Sequence, residues 1–301
     1  GLDVYGETPL AHTVQEGRAI CRATARYARV WQTGSWQRSE PHFRRAVELV
    51  KAGTIGKVQA VEVGLPGGHI DYAGTAGHDT PSRPPPGLDY ALWLGPAPWA
   101  PYCPARVHRN WRWHTDYGGG QLMDWAGHHV DVAQWAIGLD QTGPVEVEGA
   151  GESPTKGLWN TPTKFRVRAV YQTGVVMLIA GGYPDVRVGI QWKGENGSVW
   201  VGREGLEINP PTLRASHPER VAVQYKAPFS NYRKFLDSVK LRRSTVAPPE
   251  AAQRAATVGL LGQIAMRVGR IVRWNPVTEE ISGDESAARL LSKTMREPWA
   301  L

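Results

Sequence analysis

The chain has 301 residues, 41% of them hydrophobic and 21% charged. That balance excludes a disordered or fibrous protein and is enough for a sizeable core. Thirty-five basic against 28 acidic side chains leave a formal charge of +7, but the basic residues are scattered. The densest run, RKFLDSVKLRR (233–243), reads as the solvated face of a helix. No aromatic-interleaved basic module accompanies it, so no nucleic-acid partner is expected. Cys21 and Cys103 are the only cysteines and form no C-x-x-C pair, which argues against a disulfide framework or a thiolate zinc site.

Residues 1–34 have a β–α–β pattern. DVYGETPL supplies a short strand and a turn, and Thr13 with Glu16 form a capping box for a helix through Tyr27. RVWQT then returns as a strand. A second helix over 40–53 has Ser39 as its expected N-cap, Pro41 in its first turn and Gly53 as its stop. VQAVEVGL (58–65) alternates as a strand. Residues 66–106 are a long Gly- and Pro-rich loop, which in a compact domain is usually functional or mobile. A helix over 120–137 follows, stopped by Gly138. Beyond it VEVEGA, FRVRAVY, VVMLIAG, VRVGIQW and SVWVG read as strands joined by short turns, QTG and KGENG among them. Strands in that succession imply a mostly antiparallel sheet and an α+β class. The C-terminal part is helical, with a strand-like IVRW before a last short helix. No run approaches membrane-spanning length and no signal peptide is evident, so the default is a soluble cytoplasmic protein with no membrane partner. The chain opens on Gly1 rather than Met, which leaves room for an upstream segment lost or removed.

The most informative stretch is DYGGGQLMDWAGHHVDVAQW (116–135). On a regular helix Asp124, His128 and Asp131 share one face, with His129 turned roughly 100° away. Two carboxylates and an imidazole there permit general acid/base chemistry by His128, or ligation of a divalent cation such as Zn or Mn. His69, Asp71 and His114 are candidates for completing a metal set with Asp124, His128 and Asp131. Trp111, Trp113 and Tyr117 suit a sugar ring, and Arg109 and Arg112 an anionic group. The alternative is that these groups only cap and pair within the fold.

PPPGLDYALWLGPAPWAPY, GGGQLMDWAGHHVDVAQW and the terminal REPW together resemble a bacterial branch of the Gfo/Idh/MocA family of NAD(P)-dependent sugar oxidoreductases, over essentially the whole chain. The resemblance implies an open-sheet α+β domain at 58–301, preceded at 1–57 by a remnant of a Rossmann domain. It also implies that Asp124 and His128 are the family's D-x-x-x-H pair, lining the sugar site with the histidine as acid/base. Two departures stand against it. No G-x-G-x-x-G turn is present, so NAD(P) is not expected to bind this chain alone. The family's E-K-P lysine is replaced by Thr8 in GETPLA, and a hydroxyl has no cationic state with which to stabilise an alkoxide.

Three readings follow. The first is a non-redox derivative that hydrolyses a sugar-derived, ester or phosphoester substrate, with or without a metal. The second is a non-catalytic sugar-binding or interaction remnant, and the third a fragment of a working dehydrogenase. A homo-oligomer is expected in each, through the open sheet or the exposed Rossmann-like segment.

Overall fold

The computed structural model describes residues 1–214 and 230–301. The chain begins with β1 (Val4–Gly6), α1 (Val14–Arg26) and β2 (Trp31–Thr33), and the two strands pair in parallel. Thr13 caps α1 as its sequence requires: its hydroxyl accepts from the Glu16 N–H at 3.2 Å, while the Glu16 carboxylate accepts from the His12 N–H. α2 (Pro41–Lys51) follows, but its cap differs from the expected one. Glu40 stands at the N-cap and Ser39 closes a preceding 3-10 turn, where its hydroxyl donates to Asn231 Oδ1 at 2.8 Å.

β3 (Val58–Leu65) leads into the long loop, which carries one short helix, α3 (Tyr90–Leu94). α4 (Gly120–Trp125) and α5 (Asp131–Ala136) come next, followed by β4 (Glu146–Glu152), β5 (Lys164–Val170), β6 (Val176–Gly181), β7 (Gly189–Gly194), β8 (Ser198–Gly202) and β9 (Gly205–Asn209). From residue 230 onward, α6 (Asn231–Leu241), α7 (Pro249–Val268), β10 (Val272–Asn275), β11 (Glu280–Ile281) and α8 (Glu285–Ala288) complete the order. The basic run at 233–243 lies largely on α6, with Arg233 and Lys240 exposed as expected.

Strands β3 to β11 form one sheet in the order β11-β10-β4-β5-β6-β3-β7-β8-β9. Every pairing is antiparallel except β3 with β6. The α+β class with a mainly antiparallel sheet is therefore present. Alternation decides which face is which. Val61, Val63, Val167, Ile179, Ile190, Trp192 and Val199 are buried beneath the helices. The opposite face carries Glu62, Arg168 and Lys193, linked in ion pairs such as Lys193–Glu62 and Arg168–Glu148.

α7 lies on β4 and β5 and also touches α1. Its buried residues are mostly small, from Ala251 through Ala265, which lets backbones approach closely. At Gly262 an added Cβ would sit 2.8 Å from a Val167 methyl, and at Gly259 2.7 Å from Met123 Sδ. A side chain at Gly262 would crowd α7 against β5, and one at Gly259 would crowd it against α4.

α5 is anchored by charge. Asp131 accepts from Arg38 Nε at 2.6 Å and from Nη2 at 2.9 Å, and both side chains are almost fully buried. Arg38 also lies over the Trp135 ring, 5.0 Å from its centroid. Pairing with Asp131 keeps this guanidinium charged despite its burial. Removing one partner strands a buried charge. Arg38→Met is expected to cost about 3–5 kcal/mol in urea denaturation, and the double variant Arg38→Met/Asp131→Leu to recover much of that loss. Equal stability of Arg38→Met and wild type would contradict this account of the pair.

Candidate active site

α4 and α5 are not one regular helix. Residues 126–130 form a π turn, in which the Asp131 N–H reaches back five residues to Ala126 O. Such a turn adds a residue to the coil and shifts the faces on either side of it. The Gly127 carbonyl is met by the Ser35 hydroxyl at 2.8 Å. The i, i+4, i+7 face expected for Asp124, His128 and Asp131 therefore does not exist: Asp131 turns into the core towards Arg38. His129 is also buried, with Nδ1 3.3 Å from Gly64 O.

His128 faces the loop after β1. Its Nε2 lies 3.4 Å from Thr8 Oγ1, while Nδ1 has no hydrogen-bond partner among the described residues. The approach depends on Gly127, where an added Cβ would fall 2.6 Å from Thr8 Cγ2. Desolvation, with Arg203 assisting and Asp124 opposing, lowers the His128 pKa to about 4. The ring is accordingly neutral near pH 7, with one nitrogen available as an acceptor. Asp124 accepts from Arg112 Nε at 2.8 Å. Arg203 lies over Trp125 at 4.2 Å and over Trp36 at 5.0 Å from the ring centroids, and also acts electrostatically on Asp124. The corner thus joins a neutral imidazole, a carboxylate, a hydroxyl, two guanidinium groups and two indoles. That set can hydrogen-bond several hydroxyls and exchange a proton with one of them.

Of the other sequence candidates, Arg109 lies over the Tyr72 ring at 5.6 Å and Arg112 over Trp111 at 4.7 Å. Trp113 is a core residue whose indole donates to Ile70 O. Tyr117 accepts from Arg106 at 3.1 Å. The six expected metal ligands do not converge. His69 bonds to Thr161 and stacks on Trp113, Asp71 accepts backbone N–H groups of its own turn, and His114 packs against Arg106 and Tyr117. Each is committed to local structure. Among the described residues no group of three His, Cys, Asp or Glu side chains could hold a metal ion.

A family model described as the C-terminal alpha/beta domain of the Gfo/Idh/MocA oxidoreductase family matches residues 42–301. The chain belongs to the Gfo/Idh/MocA oxidoreductase family. Solved structures share its fold at low identity. An oxidoreductase domain protein from Kribbella flavida has a TM-score of 0.61 at 18% identity, covering 89% of this chain and 73% of its own. The WlbA dehydrogenase of Bordetella pertussis, in complex with NADH and UDP-GlcNAcA, gives 0.61 at 14%, covering 91% and 72%. The aldose-aldose oxidoreductase of Caulobacter crescentus gives 0.59 at 17%, covering 90% and 72%. No curated protein sequence matches the chain. No helix among the described residues of this Gfo/Idh/MocA chain is long and apolar enough to cross a membrane.

His128 and His129 give the fold a pH dependence whose sign is fixed. Their pKa values, about 4 and about 3, lie below the ordinary 6.5, so the unfolded chain binds the extra protons. This stability is fully present above pH 6.5 and is lost as pH falls through the folded values. The slope is up to about 1.4 kcal/mol per pH unit for each ring. Urea denaturation between pH 7 and pH 5 should show it, and His128→Gln should remove one proton's share. An unchanged slope in that variant would overturn the assignment.

Proposed function

We propose that the corner of Thr8, Asp124 and His128 binds a hydroxyl-rich substrate, a sugar or polyol, as the substrate-handling part of a Gfo/Idh/MocA oxidoreductase. Asp124 and Arg203 orient hydroxyls, and His128 accepts or returns the proton of the reacting one. The observation that supports this reading is a neutral, half-partnered imidazole beside both the E-K-P position and the D-x-x-x-H carboxylate. The 301 residues contain no G-x-G-x-x-G turn, so they do not fit a nicotinamide dinucleotide, and no step is assigned to one. Metal-assisted hydrolysis has no donor set among the described residues. Hydrolysis without a metal keeps His128 as the base that activates water, and Thr8 in place of the lysine favours keeping it as the second reading.

Titrating glycerol, myo-inositol and D-glucose into protein with ¹⁵N-labelled imidazoles is expected to move the His128 resonances. The response should disappear in Asp124→Asn and Arg203→Met. Shifts confined to other histidines would refute the substrate assignment. A parallel panel of p-nitrophenyl esters, glycosides and phosphates separates the second reading: turnover lost in His128→Gln would establish hydrolysis in its place.

Self-association through the charged, helix-free face of the sheet belongs to the same proposal. Light scattering at micromolar concentration should give a dimer or larger species, weakened at high salt because exposed ion pairs are screened. A monomer at every salt concentration would rule this out.

A further inference from the structure

The segment after α8 crosses the start of α1. There Lys293 Nζ lies 2.7 Å from His12 Nδ1 and donates to Thr115 O at 2.9 Å. His12 Nε2 is 3.3 Å from Gly118 O. A carbonyl oxygen only accepts, so Nε2 carries the ring proton and Nδ1 accepts from the ammonium. Burial and the nearby Lys293 charge lower the His12 pKa to about 4, which agrees with this neutral tautomer. Two of the three ammonium N–H groups are thereby used and one remains.

Two cavities meet at this pair, of about 520 Å³ and about 330 Å³, and both are bordered by His12, Asp116 and Lys293. The smaller is walled by Trp93, Trp111 and Tyr117 and also bordered by Glu16. Trp93 packs edge-on against Tyr117 with ring centroids 5.1 Å apart, which holds both rings in place. None of these residues belongs to the Thr8–Asp124–His128 corner.

We propose that the smaller cavity is a second carbohydrate site, which takes a single neutral pyranose ring. Its aromatic walls meet the apolar C–H face of such a ring, and the polar rim meets its edge. Asp116 and Glu16 accept from sugar hydroxyls, and the remaining N–H of Lys293 donates to one. Two carboxylates against one ammonium disfavour a carboxylated or phosphorylated sugar, so the site selects neutral rings. Trp111 and Tyr117, read from sequence as helpers of the helix site, serve this cavity.

Saturation-transfer NMR on the whole chain tests the site, with methyl β-D-glucopyranoside, methyl α-D-mannopyranoside, methyl β-D-galactopyranoside and cellobiose as probes. Transfer to ring protons is expected from at least one of them. Trp93→Leu and Lys293→Met should each weaken it about fivefold, the order carried by one aromatic or polar contact. The comparison is made in an Asp124→Asn/Arg203→Met background, which disables the helix corner, so that the transfer reports the cavity alone. If Trp93→Leu fails to fold, Lys293→Met and Asp116→Asn carry the same comparison. The proposal is overturned by no transfer from any probe, by transfer that survives the cavity variants, or by D-glucuronate binding more tightly than the glucoside. Transfer seen in the wild type but absent from that background would place the sugar at the helix corner and overturn only the second site.

Discussion

The candidate active site depends on one irregular turn. The π turn at 126–130 sends His128 towards Thr8 while returning His129 and Asp131 to the core. A continuous α-helix would place His128 and Asp131 on one stripe and break either the Arg38 pair or the approach to Thr8. The turn persists because its neighbours meet its demands. Ser35 occupies the Gly127 carbonyl, the missing side chain at Gly127 admits Thr8, and Arg38 neutralises Asp131. Charge, hydrogen bonding and close packing agree at that point, as a stable irregularity requires.

This agreement explains why two adjacent histidines have different prospects. His129 is sealed among Phe43, Trp125 and the Gly64 carbonyl, where one ring nitrogen meets that carbonyl, Nε2 has no partner among the described residues, and burial keeps the ring neutral. His128 stands at the edge of the same packing with a hydroxyl and a carboxylate nearby.

Local signals in the sequence carried far. The capping box at Thr13, the alternation of VQAVEVGL and the turns QTG and KGENG each depend on neighbours a few residues away, and each has its counterpart in the fold. The failures lie where distant residues decide. Ser39 is a good N-cap by composition, but Asn231 claims its hydroxyl across the fold. Helical spacing alone puts Asp131 on a polar face, since nothing near it in sequence announces Arg38. Arg203 carries no local signal of a role, because it occupies the tight turn between β8 and β9 and reaches the corner only through the fold. His12 and Lys293, separated by 281 positions, carry no local pattern that joins them.

The same long separations bear on how the chain is made. α1 packs against α7, Arg18 binds Glu250 and Glu279, Gln32 donates to Asn231 O, and the Thr33 N–H donates to Ala247 O. During synthesis the first 33 residues emerge long before any of these partners. The sheet from β3 to β9 pairs largely among neighbours and can form first, whereas the opening β–α–β segment waits for α6 and α7 to leave the ribosome. The side of α1 that rests on α7 is therefore among the last apolar surfaces of the fold to be covered.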